Sequence, residues 1–222
     1  MVALADSKGS ARRIFVAVLP DDATRAELVR RQGLLLPRLA KARPTAPDNL
    51  HLTLAFLGML EEGQVASTLE AMREAAEASS VPALDLPLAG LGSFGRDGRA
   101  ILWQGLAAGP GLDALFDLQA RLARALRGRG ISLEERPYRP HITLARGVRL
   151  GEKSAPSSLE DYLASEGARL AGPAPEHEGG TPLEGTPRLR ADALSLMWSH
   201  HPEGGSLTYT ELERVTLRQS RP

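Results

Sequence analysis

Two copies of the pattern His-x-Thr-Leu, His51-Leu52-Thr53-Leu54 and His141-Ile142-Thr143-Leu144, stand ninety residues apart in this 222-residue chain, each inside a short apolar run. Successive side chains of a strand point to opposite faces, so the spacing predicts His51 with Thr53 on one face and Leu52, Leu54 and Phe56 on the other. The same parity sets His141 and Thr143 against Ile142 and Leu144. Each strand then carries an imidazole and a hydroxyl above an apolar back, and two such strands brought together offer two of each to one small ligand. With five His and ten Thr, about 0.03 chance matches to the pattern are expected, so the pair is read as a site.

The rest of the chain supplies what such strands need. Its hydrophobic content of 42% and charged content of 24% are ordinary for a globular chain, and the length supports a large core without staples. No cysteine is present, which removes disulfides and thiolate metal sites and fits a reducing, cytoplasmic setting. The longest early apolar run, Ile14 to Leu19, is too short to span a membrane. Acidic and basic residues balance at 27 each, so any polyanion contact is local.

One local basic region brackets the second motif. Eight arginines between Arg121 and Arg149 face only Glu134 and Glu135. Arg121, Arg124 and Arg127 are read as the wet side of a helix. Arg136 and Arg139 beside the motif are the candidates for phosphate contact, and Tyr138 between them for substrate contact.

Periodicity gives the order of elements. Residues 1–11 are expected to be a flexible tail, followed by a strand from Arg13 to Leu19 and a helix capped by Asp21 or Asp22 that ends at Pro37. A strand over 50–57 is closed by Gly58, and residues 62–78 form an amphipathic helix. Two strands, 84–91 and 99–106, are joined through Asp97-Gly98. The second half repeats the scheme: a helical stripe from Leu112 to Leu126 ended by Gly128 and Gly130, strand 141–146, and a short helix begun by a capping box at Ser157 and Glu160. Residues 171–187 are expected to be a mobile loop and 218–222 a tail. Strands 193–198 and 207–217 close the chain around a turn that carries His200 and His201. Those two with His177 are weighed as a zinc site and rejected for want of a fourth ligand at recognisable spacing.

The stretches Pro47 to Gly58 and Arg136 to Arg146 resemble the two signatures of the 2H phosphoesterases, and more narrowly their RNA 2′,3′-cyclic phosphodiesterase branch, historically called 2′-5′ RNA ligases. Arg13 to Ala17 and the strand pair around Trp198 are similar to that branch as well. The resemblance implies an α+β fold of two similar lobes, each a mainly antiparallel sheet with helices packed on its outer side, facing across a central cleft within a single domain over 12–217. It departs at 171–187, longer and richer in Gly and Pro than the family leads one to expect. It further implies hydrolysis of 2′,3′-cyclic phosphate termini of RNA or nucleotides to 2′-phosphates, with His51 as proton donor, His141 as proton acceptor, and no metal or cofactor. Thr53 and Thr143 are suited to hold the non-bridging oxygens. A monomer acting on RNA or nucleotide ends, away from membranes, is expected. Joining of RNA ends through a 2′-5′ linkage, cleavage of another phosphodiester on the same fold, and RNA-end binding without turnover remain the alternatives.

Overall fold

The computed structural model describes residues 11–78, 83–96, 98–151, 158–171 and 185–217. Residues 1–10 of the expected N-terminal tail, the expected tail 218–222, the Asp97 half of the hairpin signal, Ser157, and nearly all of the 171–187 loop with His177 lie outside the described residues.

Strand β1 (Arg12–Val18) leads to helix α1 (Asp22–Leu35), whose N-terminus is capped by Asp21 Oδ1 accepting from the Thr24 amide at 2.7 Å. A short 3-10 turn over Leu36–Arg38, with Pro37 inside it, ends that helix and starts β2 (Leu39–Pro44). Then come the first motif strand β3 (Leu52–Leu60), helix α2 (Glu62–Ala78), and the hairpin of β4 (Leu84–Phe94) and β5 (Ala100–Leu106). Helix α3 (Pro110–Gly128) precedes the second motif strand β6 (Ile142–Leu150). Helix α4 (Leu159–Ala171), β7 (Arg188–Ala191), β8 (Ala193–His200) and β9 (Thr208–Thr216) complete the described chain.

All nine strands belong to one sheet, ordered β7-β4-β5-β6-β3-β1-β8-β9, with β2 paired antiparallel to β6. The sheet is two half-sheets joined at one rung, Leu52 opposite Ile142, the first residues of the two motif strands. Beyond that rung β3 turns to β1 and β6 turns to β5 and β2, which opens a wedge between the halves. The halves of the chain are not the halves of the sheet. Strand pair β8-β9, from the second half, extends the sheet of the first motif through β1, and pair β4-β5, from the first half, extends that of the second.

Three strand expectations are corrected. Gly58 does not close β3: it takes φ of 73°, which glycine adopts without a Cβ clash, and the strand continues to Leu60. Gly147, at φ of 64°, likewise lets β6 run to Leu150, past the expected end at 146. Strands β2 and β7 were unexpected, because Leu-Ala-Lys-Ala-Arg-Pro and Arg-Leu-Arg-Ala have no clear apolar alternation. They are short strands whose pairing comes from tertiary position.

The apolar backs of the motif strands meet the helices. Leu52, Leu54, Ile142 and Leu144 are almost wholly buried, with Leu28 and Leu35 of α1, Met72 of α2 and Leu115, Leu118 and Leu122 of α3 in the same core. Burial of one such leucine is worth about 1.5–3 kcal/mol, so this layer fixes the motif strands firmly.

Candidate active site

The single rung sets the geometry of the site. In an antiparallel pair with Leu52 opposite Ile142, extending the register places His51 opposite Thr143 and Thr53 opposite His141, all on the face away from the core. The two histidines are diagonal neighbours in that register, with Cβ atoms about 7–8 Å apart where strands stay paired. A phosphate group between them meets one imidazole from each strand.

Each ring is held by the same device. His51 Nδ1 lies 2.7 Å from the Asn49 carbonyl and His141 Nδ1 lies 2.7 Å from the Arg139 carbonyl, in each case two residues upstream. A carbonyl only accepts, so Nδ1 carries the hydrogen in both rings and Nε2 is the working nitrogen. Asn49 is itself braced, its side chain donating to the Leu207 carbonyl at 2.8 Å and accepting from the Tyr209 amide at 3.2 Å. Aromatic rings flank both histidines: Phe15 and Tyr209 stand 4.9 and 5.1 Å from His51, and Phe94 and Trp103 stand 4.9 and 6.3 Å from His141. Gly92 makes room for that tryptophan, since a Cβ there would lie 2.2 Å from the indole.

Both motif strands bulge at matched positions. Leu54 is skipped in the pairing of β3 with β1, and Leu144 is skipped in the pairing of β6 with β5. The extra residue turns Leu54 and Ala55 both into the core and brings Phe56 round to the cleft, where it is 39% exposed. Phe56 therefore does not lie on the apolar back, because simple alternation fails at a bulge. The equivalent residue of the second strand is Arg146, also exposed, whose charge acts on both imidazoles. Arg146 was not singled out by sequence, although it stands five residues after His141 as Phe56 stands five after His51.

Burial is the main force holding both imidazoles below their ordinary pKa. His51 is lowered to about 4, with the positive charge of Arg146 and the neighbouring His141 acting in the same direction. His141 is lowered too, first by burial and then by Arg146, while its bond to the Arg139 carbonyl pulls the other way. Neutral His51 accepts at Nε2 from the Thr53 hydroxyl, 3.0 Å away. No hydrogen-bond partner of the Thr143 hydroxyl is found among the described residues.

A cleft of about 1240 Å³ runs from Thr53 and His141 between α3 and residues 133–139. Arg136 and Arg139 line it, without a carboxylate at ion-pair distance among the described residues. Tyr138 also lines it, but its hydroxyl donates to the Thr53 carbonyl at 3.1 Å, tying the two motif segments together. Arg124 and Arg127 are exposed on α3, as the reading of a solvated helix face has it, and they also line the same cleft. His200 is the last residue of β8 and not part of a turn: it stacks on Trp198 at 3.9 Å and bonds Thr210. Among the described residues no three His, Asp or Glu side chains cluster as metal ligands, and no helix is long and apolar enough to cross a membrane.

Residues 20–201 match the 2′-5′ RNA ligase superfamily, and the chain belongs to that family. It is 44% identical over 100 residues to a Geobacillus stearothermophilus protein named RNA 2′,3′-cyclic phosphodiesterase, a match covering 45% of this chain and 30% of that one. A Thermus thermophilus protein of the same name is 32% identical over 141 residues, covering 60% of this chain and 68% of its own. In three dimensions the crystal structure of a Thermus thermophilus protein superposes with a TM-score of 0.63 at 26% identity, over 94% of this chain and 100% of that one. Escherichia coli LigT complexed with 3′-AMP shares the fold, with a TM-score of 0.65 at 23% identity over 95% of this chain and 99% of LigT.

Proposed function

We propose that the protein hydrolyses 2′,3′-cyclic phosphate termini of RNA or nucleotides to 2′-phosphates, with His51 and His141 as the proton-transfer pair and without a metal. The observation that carries this reading is the mirrored placement of two Nδ1-anchored imidazoles on either side of the Leu52–Ile142 rung. The relatives named RNA 2′,3′-cyclic phosphodiesterase support it.

In the free protein both rings are neutral at pH 7, since both are held below their usual pKa. An entering phosphodiester anion places a negative charge beside the rings and favours their protonated form, and His51 takes up a proton as substrate binds. Neutral His141 Nε2 then accepts a proton from water as its oxygen attacks phosphorus. The bond from phosphorus to the 3′ oxygen breaks, and that oxygen takes the proton from His51 Nε2. The product is a 2′-phosphomonoester with a free 3′ hydroxyl. The two rings have exchanged protonation states, which solvent restores.

Thr53 turns its hydroxyl from His51 to a non-bridging oxygen when the anion arrives, and Thr143 offers a second donor. Arg146 adds positive charge as the phosphorane forms, and Arg136 and Arg139 hold the substrate at the cleft edge. Incubation with 2′,3′-cyclic AMP, followed by separation of 2′- and 3′-AMP, tests the scheme. Exclusive 2′-phosphate, unaffected by EDTA and lost in His51→Ala and His141→Ala of intact fold, is expected. Full activity in either variant ends the proposal.

A further inference from the structure

The cleft is larger than the reaction requires. Sites for small ligands commonly enclose about 300–1000 Å³, and this one reaches about 1240 Å³ by extending from His141 and Thr53 along α3. The helix turns one stripe toward it, with Gln119, Ala120, Ala123, Arg124, Arg127 and Gly128 along the wall. That stripe is about 14 Å long at 1.5 Å per residue.

The arginines of this region divide by partner. Arg121 is bound to Asp117 at 2.7 Å and Arg129 to Glu74 at 2.7 Å, so their charges are spent locally. Arg124 and Arg127, one turn apart, have no carboxylate at ion-pair distance among the described residues and face the cleft. Across from them stand Arg136 and Arg139, so four guanidinium groups border the channel against the two carboxylates Glu134 and Glu135. At its inner end Phe56 and Phe94 present rings beside the motif residues. A positively charged groove ending in aromatic faces is the general form of a track for single-stranded nucleic acid.

We propose that the α3 wall of the cleft binds the RNA strand leading to the cyclic end, with Arg124 and Arg127 taking successive backbone phosphates, so that the enzyme prefers an oligonucleotide to a mononucleotide. This rests on the hydrolase reading above for its direction, since the cyclic end must lie at His51 and His141. Arg124 and Arg127 act beyond the reacting nucleotide and set substrate length.

The test compares 2′,3′-cyclic AMP with a hexanucleotide ending in a 2′,3′-cyclic phosphate, in the natural protein, in R124E/R127E, in the milder R124Q/R127Q, and in R121E as a control outside the cleft. The natural protein should favour the hexamer by tenfold or more in kcat/KM at low salt. Both double variants should lose that preference while turning over the mononucleotide within twofold of the natural rate, and R121E should change neither. Binding of a fluorescent hexamer with a 3′-phosphate, which needs no turnover, separates the two proposals. Each lost phosphate contact should flatten the salt dependence of log K by about 0.7, so the double variants should show a slope shallower by about 1.4. A hexamer no better than the mononucleotide, or double variants that bind it as well and with the same salt slope as the natural protein, overturns the groove. Failure of the natural protein to turn over either substrate, with hexamer binding still dependent on Arg124 and Arg127, overturns only the hydrolase reading.

Discussion

Gln32 of α1 donates to the carbonyl of Leu144 at 2.8 Å, the residue at which the second motif strand bulges. Gln119 of α3 reaches the carbonyl of Leu54, the matching bulge of the first motif strand, at 3.4 Å. Each helix thus holds the motif strand that its own half of the chain does not contain. The Leu144 carbonyl also accepts from the Thr45 amide at 2.9 Å, so Gln32 is its second donor and joins the bulge to the chain at Thr45.

Gln32 is nearly fully buried, and it also bonds the Thr45 carbonyl at 2.9 Å. Gln32→Leu strips the Thr45 carbonyl of this donor and leaves Leu144 with the Thr45 amide alone, so it should cost about 1–3 kcal/mol of stability, the usual penalty for unpairing a buried polar group. Thermal unfolding should register this as a Tm lower by several degrees. Because Thr143 adjoins the bulge, kcat should fall more than KM rises. Gln119→Leu, on a longer and less buried bond, should lose less than half as much. Equal Tm values for Gln32→Leu and the natural protein would contradict this account.

The depressed histidines give the fold a defined response to acid. A group whose folded pKa lies below its unfolded pKa binds more protons when unfolded, so stability falls as pH falls. For His51 the window opens near its unfolded value of about 6.5 and closes near the folded value of about 4. His141 acts in the same direction. Urea unfolding at pH 7.5, 6, 5 and 4 should show declining stability, and His51→Gln should lose part of that decline. A natural protein equally stable at pH 7.5 and 4.5 would refute the burial of these rings.

Arg146 should govern how the site titrates. Its charge contributes to lowering both imidazoles, so Arg146→Gln should move both pKa values upward. In NMR titrations of ring protons the midpoints of His51 and His141 should shift to higher pH. Substrate binding should weaken as well, by about tenfold per 1.4 kcal/mol of lost charge-assisted contact. Unchanged midpoints would remove Arg146 from the field acting on the histidines.

The motif strands were legible because His-x-Thr-Leu combines a period of two with residues that have no reason to pair by chance. Helices α2 and α3 were legible from apolar stripes at Val65, Leu69 and Met72 and at Leu115, Leu122 and Leu126. The bulges at Leu54 and Leu144 left no local mark, and they turned Phe56 and Arg146 out of the core, Phe56 into the cleft. The exchange of strand pairs between half-sheets was equally hidden, since it depends on which strand finds β1 or β6 in space. Asn49 was visible beside the first motif, but its role as brace requires the start of β9, about 160 residues away.

Tyr138 supplies the closest tie between the two motif segments after the rung itself. Its hydroxyl, on the segment leading into β6, donates to the Thr53 carbonyl of β3 at 3.1 Å, and Phe116 packs edge-on against its ring at 5.8 Å. Burial holds the phenol well above its ordinary pKa, so it stays a neutral donor throughout the working range. Tyr138→Phe keeps the ring packing and removes only the bond. The loss should cost about 0.5–1.5 kcal/mol of stability, the net worth of a neutral hydrogen bond. The larger effect should fall on turnover, because Thr53 and His141 sit on opposite sides of the wedge that this bond spans. A three- to tenfold drop in kcat, with KM for the cyclic mononucleotide little changed, is expected. If KM rises and kcat holds, the hydroxyl contacts substrate directly and the segments are aligned by the Leu52–Ile142 rung alone.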